Sequence, residues 1–265
     1  MSVTKVPASL SYGARLVRLG LSNPLEFTDR LRGQWEVRQE RGRSEVPPLT
    51  PGGWEAELHR LLGAETPCEA CGQFGQLWSE LCAELKSTTS HAAGEWYDAG
   101  QRLAQASFIA VRHLQPTSVV ETGVARGLTS RFLLQGLEDH GELYSIDLPP
   151  NRQGWHNEAG MAVPLPLRAQ WHYLRGASRR LLPPLVEQLA PLRLFIHDSL
   201  HTTKNVRFEL DTVWPRLERG GLVLVDDVDQ NSAFVQFCRR VSTEADWITT
   251  AEGRGNGMVG AILKR

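Results

Sequence analysis

The stretch Ser118-Val-Val-Glu-Thr-Gly-Val-Ala-Arg-Gly-Leu-Thr-Ser130 sets an acid, Glu121, ahead of two glycines, Gly123 and Gly127. The glycines open onto the apolar helical pattern Leu128, Phe132, Leu133, Leu134, Leu137. A strand that turns into a helix through glycines can bring bare backbone N–H groups up to a ligand at the helix N-terminus. A second apolar run, Leu143-Tyr-Ser-Ile146, ends in Asp147. An acid at the tip of a second strand can accept both hydroxyls of a ribose, so the pair reads as a nucleoside pocket. Three further acids close apolar runs: Asp198 after Leu194-Phe-Ile-His197, and Asp226 with Asp227 after Leu222-Val-Leu-Val225. Their competing reading is helix capping. His201 lies just past Asp198, within reach of a bound hydroxyl, and an ordinary imidazole suits proton transfer near neutral pH. Packing in its loop is the alternative for His201. His197 precedes Asp198 and should point to the opposite face of its strand, so it is left out of the site.

These residues need a scaffold of alternating strands and helices. From about residue 95 the pattern is regular. Trp96 to Leu114 reads as a helix closed by Pro116, Val119 to Thr122 as a strand, Leu128 to Leu137 as a helix, and Leu143 to Asp147 as a strand. Trp171 to Leu174 is a third strand, Ser178 to Leu189 a helix, Leu192 to His197 a fourth strand, and Lys204 to Leu217 a helix. Gly220-Gly221 punctuates before a fifth strand, Leu222 to Val225; Ser232 to Val241 is helical. Trp247 to Thr250 and Met258 to Leu263 follow as a closing hairpin. Alternation of this kind predicts an α/β fold, a parallel sheet covered by helices on both faces, with function at the carboxyl ends of its strands.

The glycine turn lacks the third glycine of a dinucleotide fingerprint and carries bulky Val124 and Arg126 between its two glycines. Glu121-x-Gly123-x-x-x-Gly127 resembles the first motif of class I S-adenosylmethionine (SAM)-dependent methyltransferases. The resemblance covers about 96–265 and implies a Rossmann-like, seven-stranded, mostly parallel sheet. It assigns cofactor binding to Glu121, Thr122, Gly123, Gly127, Asp147, Gly176 and Ser178, with the hydroxyls of Thr129 and Ser130 in reach of the cofactor carboxylate. The run Asp198-Ser-Leu-His201-Thr, followed by Asn205, is similar to the metal-dependent O-methyltransferases of natural products and sugars, the macrocin O-methyltransferase and cephalosporin-hydroxylase-like branch. That likeness makes the fourth and fifth strands neighbours and brings Asp198, Asp226 and Asp227 together around Mg²⁺ or another divalent cation. Like charges that close raise one another's pKa; a cation removes the cost, and an all-oxygen set suits Mg²⁺. Asp227 departs from the asparagine usual in the catechol branch, which favours a sugar or natural-product acceptor.

The implied reaction is transfer of a methyl group to a hydroxyl of a small molecule, with Asp198 and His201 as the catalytic residues. An NAD-linked oxidoreductase and a noncatalytic cofactor-binding or assembly protein are the rival readings. With 29 basic and 30 acidic residues there is no net field to recruit nucleic acid or an anionic membrane. No apolar run is long enough to span a bilayer, and the N-terminus lacks a signal-peptide core, so the expected location is cytoplasmic. Homo-oligomerisation is implied by the resemblance alone.

Residues 1–94 read as a helical N-terminal extension acting as lid, substrate wall or oligomerisation segment, ahead of a cofactor-binding domain over 95–265. Its basic pieces read as solvated helix faces, and Gly42 to Gly53 as a loop. The loop Pro149 to Ala169, with Trp155, His156, Asn157 and Met161, is expected to cover the substrate. Cys68-x-x-Cys71 could begin a zinc site with His59 and His91 as partners. Cys82 stands alone, however, and the expectation is of isolated cysteines in a helical region.

Overall fold

The computed structural model describes residues 19–40, 45–66, 68–88, 98–149, 158–252 and 257–265. A seven-stranded sheet runs in the order β3-β2-β1-β4-β5-β7-β6. Its strands are β1 (Ser118–Thr122), β2 (Glu142–Asp147), β3 (Trp171–Arg175), β4 (Leu192–His197), β5 (Leu217–Val225), β6 (Ala245–Ala251) and β7 (Met258–Lys264). The first five pair in parallel, whereas β7 lies antiparallel to both β5 and β6. From β1 the chain winds outward through β2 and β3; β4 and β5 lie on the other side. The β1/β4 boundary is therefore where the strand order reverses, and a crevice opens above such a boundary at the strands' carboxyl ends.

Both faces of the sheet are covered, as expected for strands that read as continuous apolar runs. On one face lie α2 (Trp54–Leu62), α3 (Glu69–Thr88), α4 (Gln101–Leu114) and α5 (Leu128–Leu137). Leu58, Phe74 and Leu81 of α2 and α3 share a core there with Ile109, Phe132 and Leu194. Phe132 meets the rings of Phe74 at 4.9 Å and Trp78 at 5.8 Å, so residues 54–88 are built into the main core. Truncating a fully buried phenylalanine of this kind costs about 3–5 kcal/mol. On the other face α6 (Ser178–Leu189), α7 (Thr203–Val213) and α8 (Ala233–Arg240) bury Leu182, Val206, Leu210 and Phe234.

Three boundaries differ from the sequence reading by more than two residues. Helix α7 stops at Val213, and a 3-10 turn carries Pro215 into β5, which begins at Leu217 rather than Leu222. Gly220 and Gly221 thus lie inside the strand, where the pairing with β4 shifts register and Gly220 adopts a φ of 79°. Glycine within a strand often marks such an irregularity. The described part of the helix expected from Trp96 begins at Gln101; residues 96 and 97 lie outside the described residues. Among the described residues no helix is long and apolar enough to cross a membrane.

Candidate cofactor pocket and acid cluster

The glycine turn and the end of β4 are pressed together. Asp198 N–H donates to the Thr122 carbonyl at 2.8 Å, and Gly123 N–H donates to the Ile146 carbonyl at 2.8 Å. A Cβ on Gly123 would lie 1.9 Å from the Asp198 carbonyl oxygen, and its φ of +86° is left-handed. Only glycine fits there, for steric and conformational reasons alike. Gly127, also at +86°, is the N-cap of α5.

A cavity of about 620 Å³ opens at this point. Its floor is Gly123, Val124, Ala125, Asp147 and Asp198, with Gly176 and Ser178 on one side. Pockets for small organic ligands fall in this size range. Asp147 accepts a hydrogen bond from the Tyr173 hydroxyl at 3.1 Å. Burial pushes its carboxyl up to about 6, against hydrogen bonds from Tyr173 and the Val124 backbone.

Four residues of the expected cofactor set do not face the cavity through their side chains. Glu121 is fully buried beneath the turn, where its Oε2 accepts from Ser130 at 2.7 Å and Ser145 at 2.6 Å. Burial raises its carboxyl to about 8, and Oε1 has no hydrogen-bond partner among the described residues. Ser130 is thereby committed to Glu121. The buried Thr129 hydroxyl has no partner among the described residues and does not line the cavity. Thr122 donates to Glu209 Oε2 at 2.6 Å. Glu121, Thr122 and Ser130 are held beneath the turn by these contacts and are not among the residues that line the cavity.

The acids after β4 and β5 do gather, with one exchange. Donor atoms of Asp198, His201 and Asp226 lie within 4.8 Å of one another. Asp227 stands outside that group: its Oδ2 lies 2.7 Å from His201 Nδ1, and its backbone is left-handed at φ 51°. The expected carboxylate trio is therefore two carboxylates and an imidazole, with the third carboxylate behind the imidazole. His201 Nε2 faces Asp198 Oδ1 at 3.6 Å. Burial alone would lower the His201 pKa, but contacts with Asp198 and Asp227 and the charge of Asp226 carry it up to about 10. Asp226 is held well above the ordinary carboxylate range by burial and by Asp198, and its Oδ1 has no hydrogen-bond partner among the described residues. Capping does not occupy these acids. Thr202 caps α7 by accepting from Asn205 N–H at 3.2 Å, and Asn231 accepts from Ala233 N–H at the start of α8.

Residues 120–228 match the family described as "Methyltransferase domain". This stretch is a methyltransferase domain. It contains the glycine turn, Asp147, Asp198, Asp226 and Asp227. No curated protein matches the chain by sequence. Among solved structures, the O-methyltransferase TomG from Streptomyces achromogenes, involved in tomaymycin synthesis and in complex with SAM, is similar at 18% identity. The likeness covers 79% of this chain and 95% of that one, with a TM-score of 0.52. An O-methyltransferase from Bacillus cereus in complex with SAH is 14% identical, over 79% and 97% of the two chains, at a TM-score of 0.50. The SAH-bound methyltransferase PaMTH1 of Podospora anserina is 12% identical over 83% and 100%, also at 0.50. The sheet is thus the Rossmann-like, mostly parallel methyltransferase fold.

Beneath the cavity the methyltransferase domain holds a buried histidine–glutamate contact that the sequence reading passed over. His197 Nδ1 lies 2.7 Å from Glu209 Oε2, and both side chains are fully buried. Glu209 also accepts from Ser199 at 2.8 Å and Asn205 at 3.0 Å. Burial works against its charge, yet His197 and the surrounding donors hold its carboxyl down at about 2. The available signal was Glu209 on the inward side of α7 beside Val206, Leu210 and Val213, where a lone carboxylate needs a partner.

The outer wall of the domain's cavity is α1 (Pro24–Gln39), which contributes Arg30, Gly33, Glu36 and Val37. Its buried residues are ionic. Arg30 pairs with Glu26 at 2.6 Å and donates to the Pro149 carbonyl at 2.7 Å. Glu36 pairs with Arg179 at 2.9 Å and accepts from the Thr202 hydroxyl at 3.1 Å. The loop after Pro149 does not take this place among the described residues. Trp155, His156 and Asn157 lie outside them, and the part from Glu158 onward packs under the glycine turn, Gly160 N–H donating to the Ala125 carbonyl at 2.9 Å.

Proposed function

We propose that this protein transfers a methyl group from SAM to a hydroxyl of a small molecule, such as a natural product or a sugar attached to one. The observation that carries this reading is the single cavity in which Asp147, the bare backbone of Gly123 and Asp198 meet at the strand-order reversal. SAM supplies an electrophilic methyl on a sulfonium centre. Asp147 would accept the ribose hydroxyls, and the backbone from Gly123 to Ala125 would carry the remainder of the cofactor. Most of the rate would come from holding donor and acceptor in line with water excluded, the task of the cavity floor and of α1.

The fit of Asp198 and Asp226 to a hard cation rests on Asp226 Oδ1, a buried carboxylate oxygen without a hydrogen-bond partner beside a second carboxylate. Mg²⁺ held by these two acids would supply Lewis acidity and answer the charge that His201 answers otherwise. Asp227 fixes His201 through Nδ1, so Nε2 is the atom that gains and loses a proton on the Asp198 side.

A second reading keeps the methyl transfer and drops the cation. It is favoured by His201 itself, which already stands between Asp198 and Asp227 as a counter-charge. Calorimetric titration with S-adenosylhomocysteine (SAH), with Mg²⁺ and with EDTA, followed by turnover on a panel of hydroxylated acceptors, tests both. Absence of SAH binding would end the transferase reading. Full turnover in EDTA, unchanged in Asp226→Asn, would leave the second.

A further inference from the structure

A second group of ligating side chains lies on the other side of the molecule, between the N-terminal helices and α4. Donor atoms of His59, Cys68 and His113 lie within 4.8 Å of one another. Cys71, outside that group, lies next to two of its members: its Sγ is 3.3 Å from Cys68 Sγ and 3.7 Å from His59 Nε2. We propose that His59, Cys68, Cys71 and His113 form a tetrahedral zinc site that pins α2 and α3 to α4.

The local sequence explains how the four meet. Helix α2 ends at Gly63, whose left-handed φ of 66° turns the chain back, with Ala64 N–H donating to the His59 carbonyl at 2.8 Å. The returning chain sets Cys68 at the start of α3, and Cys71 follows one turn later. His113 arrives from the last turn of α4. Its ring meets that of His59 edge-on, with centroids 5.0 Å apart.

The geometry suits zinc in three respects. Ordinary zinc bond lengths give tetrahedral edges of about 3.8 Å between two sulfurs and about 3.5 Å between sulfur and nitrogen. The spacings of 3.3 Å and 3.7 Å lie within a few tenths of an ångström to half an ångström of these. Second, His59 Nδ1 is 2.5 Å from the Glu55 carbonyl, which can only accept, so Nδ1 carries the proton and the Nε2 lone pair faces the thiols. A second hydrogen bond that fixes the tautomer and aims the ring is the usual setting of a zinc-bound histidine. Third, His113 Nε2 is buried with no hydrogen-bond partner among the described residues. A ligand nitrogen left bare in a half-buried seat calls for an occupant.

A Cys68–Cys71 disulfide is the competing use of this spacing, but it would engage neither imidazole. Two thiolates and two neutral imidazoles leave a bound Zn²⁺ with no net charge, which suits a seat against the apolar core. Such an ion fastens residues 54–88 to the methyltransferase domain and stands apart from the reaction.

The test is metal analysis of the full chain purified under reducing conditions, supplied with zinc and freed of excess by desalting. About one equivalent per chain is expected, retained in Asp226→Asn and lost in Cys68→Ser and His113→Gln. Should those variants fold poorly, the unaltered protein loaded with Co²⁺ answers instead: a tetrahedral cobalt–thiolate spectrum is expected, together with protection of Cys68 and Cys71 from alkylation that a strong chelator removes. Less than a tenth of an equivalent, a six-coordinate cobalt spectrum, zinc retained in Cys68→Ser, or a Cys68–Cys71 disulfide in the isolated protein would each overturn the proposal.

Discussion

His201 Nδ1 lies 2.7 Å from Asp227 Oδ2, and this contact turns the opposite nitrogen toward Asp198 at 3.6 Å. Without a cation the imidazole is a charge partner, with a pKa raised from 6.5 to about 10. A pKa raised on folding contributes stability that is full below the unfolded value and lost as pH rises through the folded one. In EDTA, His201→Gln should therefore cost on the order of 2 kcal/mol near pH 6 and much less near pH 10. Thermal melts across that range measure it; a cost that does not change with pH contradicts the pairing.

Asp226 gives the opposite sign. Its carboxyl is buried, its Oδ1 has no hydrogen-bond partner among the described residues, and burial with Asp198 outweighs His201 to hold it well above 3.8, so ionisation at neutral pH destabilises the cation-free fold. Asp226→Asn should raise stability in EDTA by about 1–3 kcal/mol while abolishing any stabilisation by Mg²⁺. Urea titrations with and without Mg²⁺ check both halves, and a less stable variant in EDTA is the adverse result.

Glu121 should be a neutral acid near pH 7, its carboxyl raised from 4.5 to about 8. Stability linked to it is complete below the unfolded pKa and declines as pH climbs through the folded one. The variant Glu121→Gln keeps an acceptor for Ser130 and Ser145 and cannot ionise. It should gain on the native protein by about 3 kcal/mol between pH 5 and pH 8. Parallel denaturation curves with a constant offset would count against a shifted Glu121.

Much of this arrangement was legible in the chain, and the reasons for the rest are local. Strand ends could be read because apolar runs stop at acids, as at Ile146-Asp147 and Val225-Asp226. The direction of side chains past those ends could not. A left-handed residue at Asp227 sends its carboxylate to His201, and no pattern of types announces a positive φ at an aspartate. Ser130 and Thr122 have hydroxyls at the right spacing for a cofactor, but the buried carboxylates of Glu121 and Glu209 bind them first. The spacing of Cys68 and Cys71 pointed to His59 and His91 as partners; His91 lies outside the described residues, and the fold brings His113 from the next helix beside His59 and Cys68.

The His197–Glu209 pair should behave as a buried charge whose partner is indispensable. His197→Gln, which leaves the Glu209 carboxylate buried without its imidazole, is expected to cost about 3–5 kcal/mol near pH 7. Since Glu209 is held down at about 2, that stability persists above 4.5 and fades only as pH falls toward 2. A loss below about 1 kcal/mol by urea unfolding would show the pair to be replaceable.

Asp147 titrates where cofactor affinity can report it, at about 6. A protonated carboxyl accepts hydroxyl hydrogen bonds poorly, so SAH binding should weaken as pH drops from about 7 to 5. Asp147→Asn should raise the SAH Kd about tenfold and flatten that dependence, by about 1.4 kcal/mol. Calorimetry on the two proteins decides it; equal slopes would remove Asp147 from the cofactor's contacts.

Helix α1 meets its neighbours through guanidinium and carboxylate groups, Glu36 with Arg179 and Asp29 with Arg180, more than through an oily seam. Detaching it would wet charges that water receives readily, and dissolved ions favour that wetted state more as their concentration rises. The tightness of the entrance is accordingly a property of the surrounding electrolyte as well as of the polypeptide.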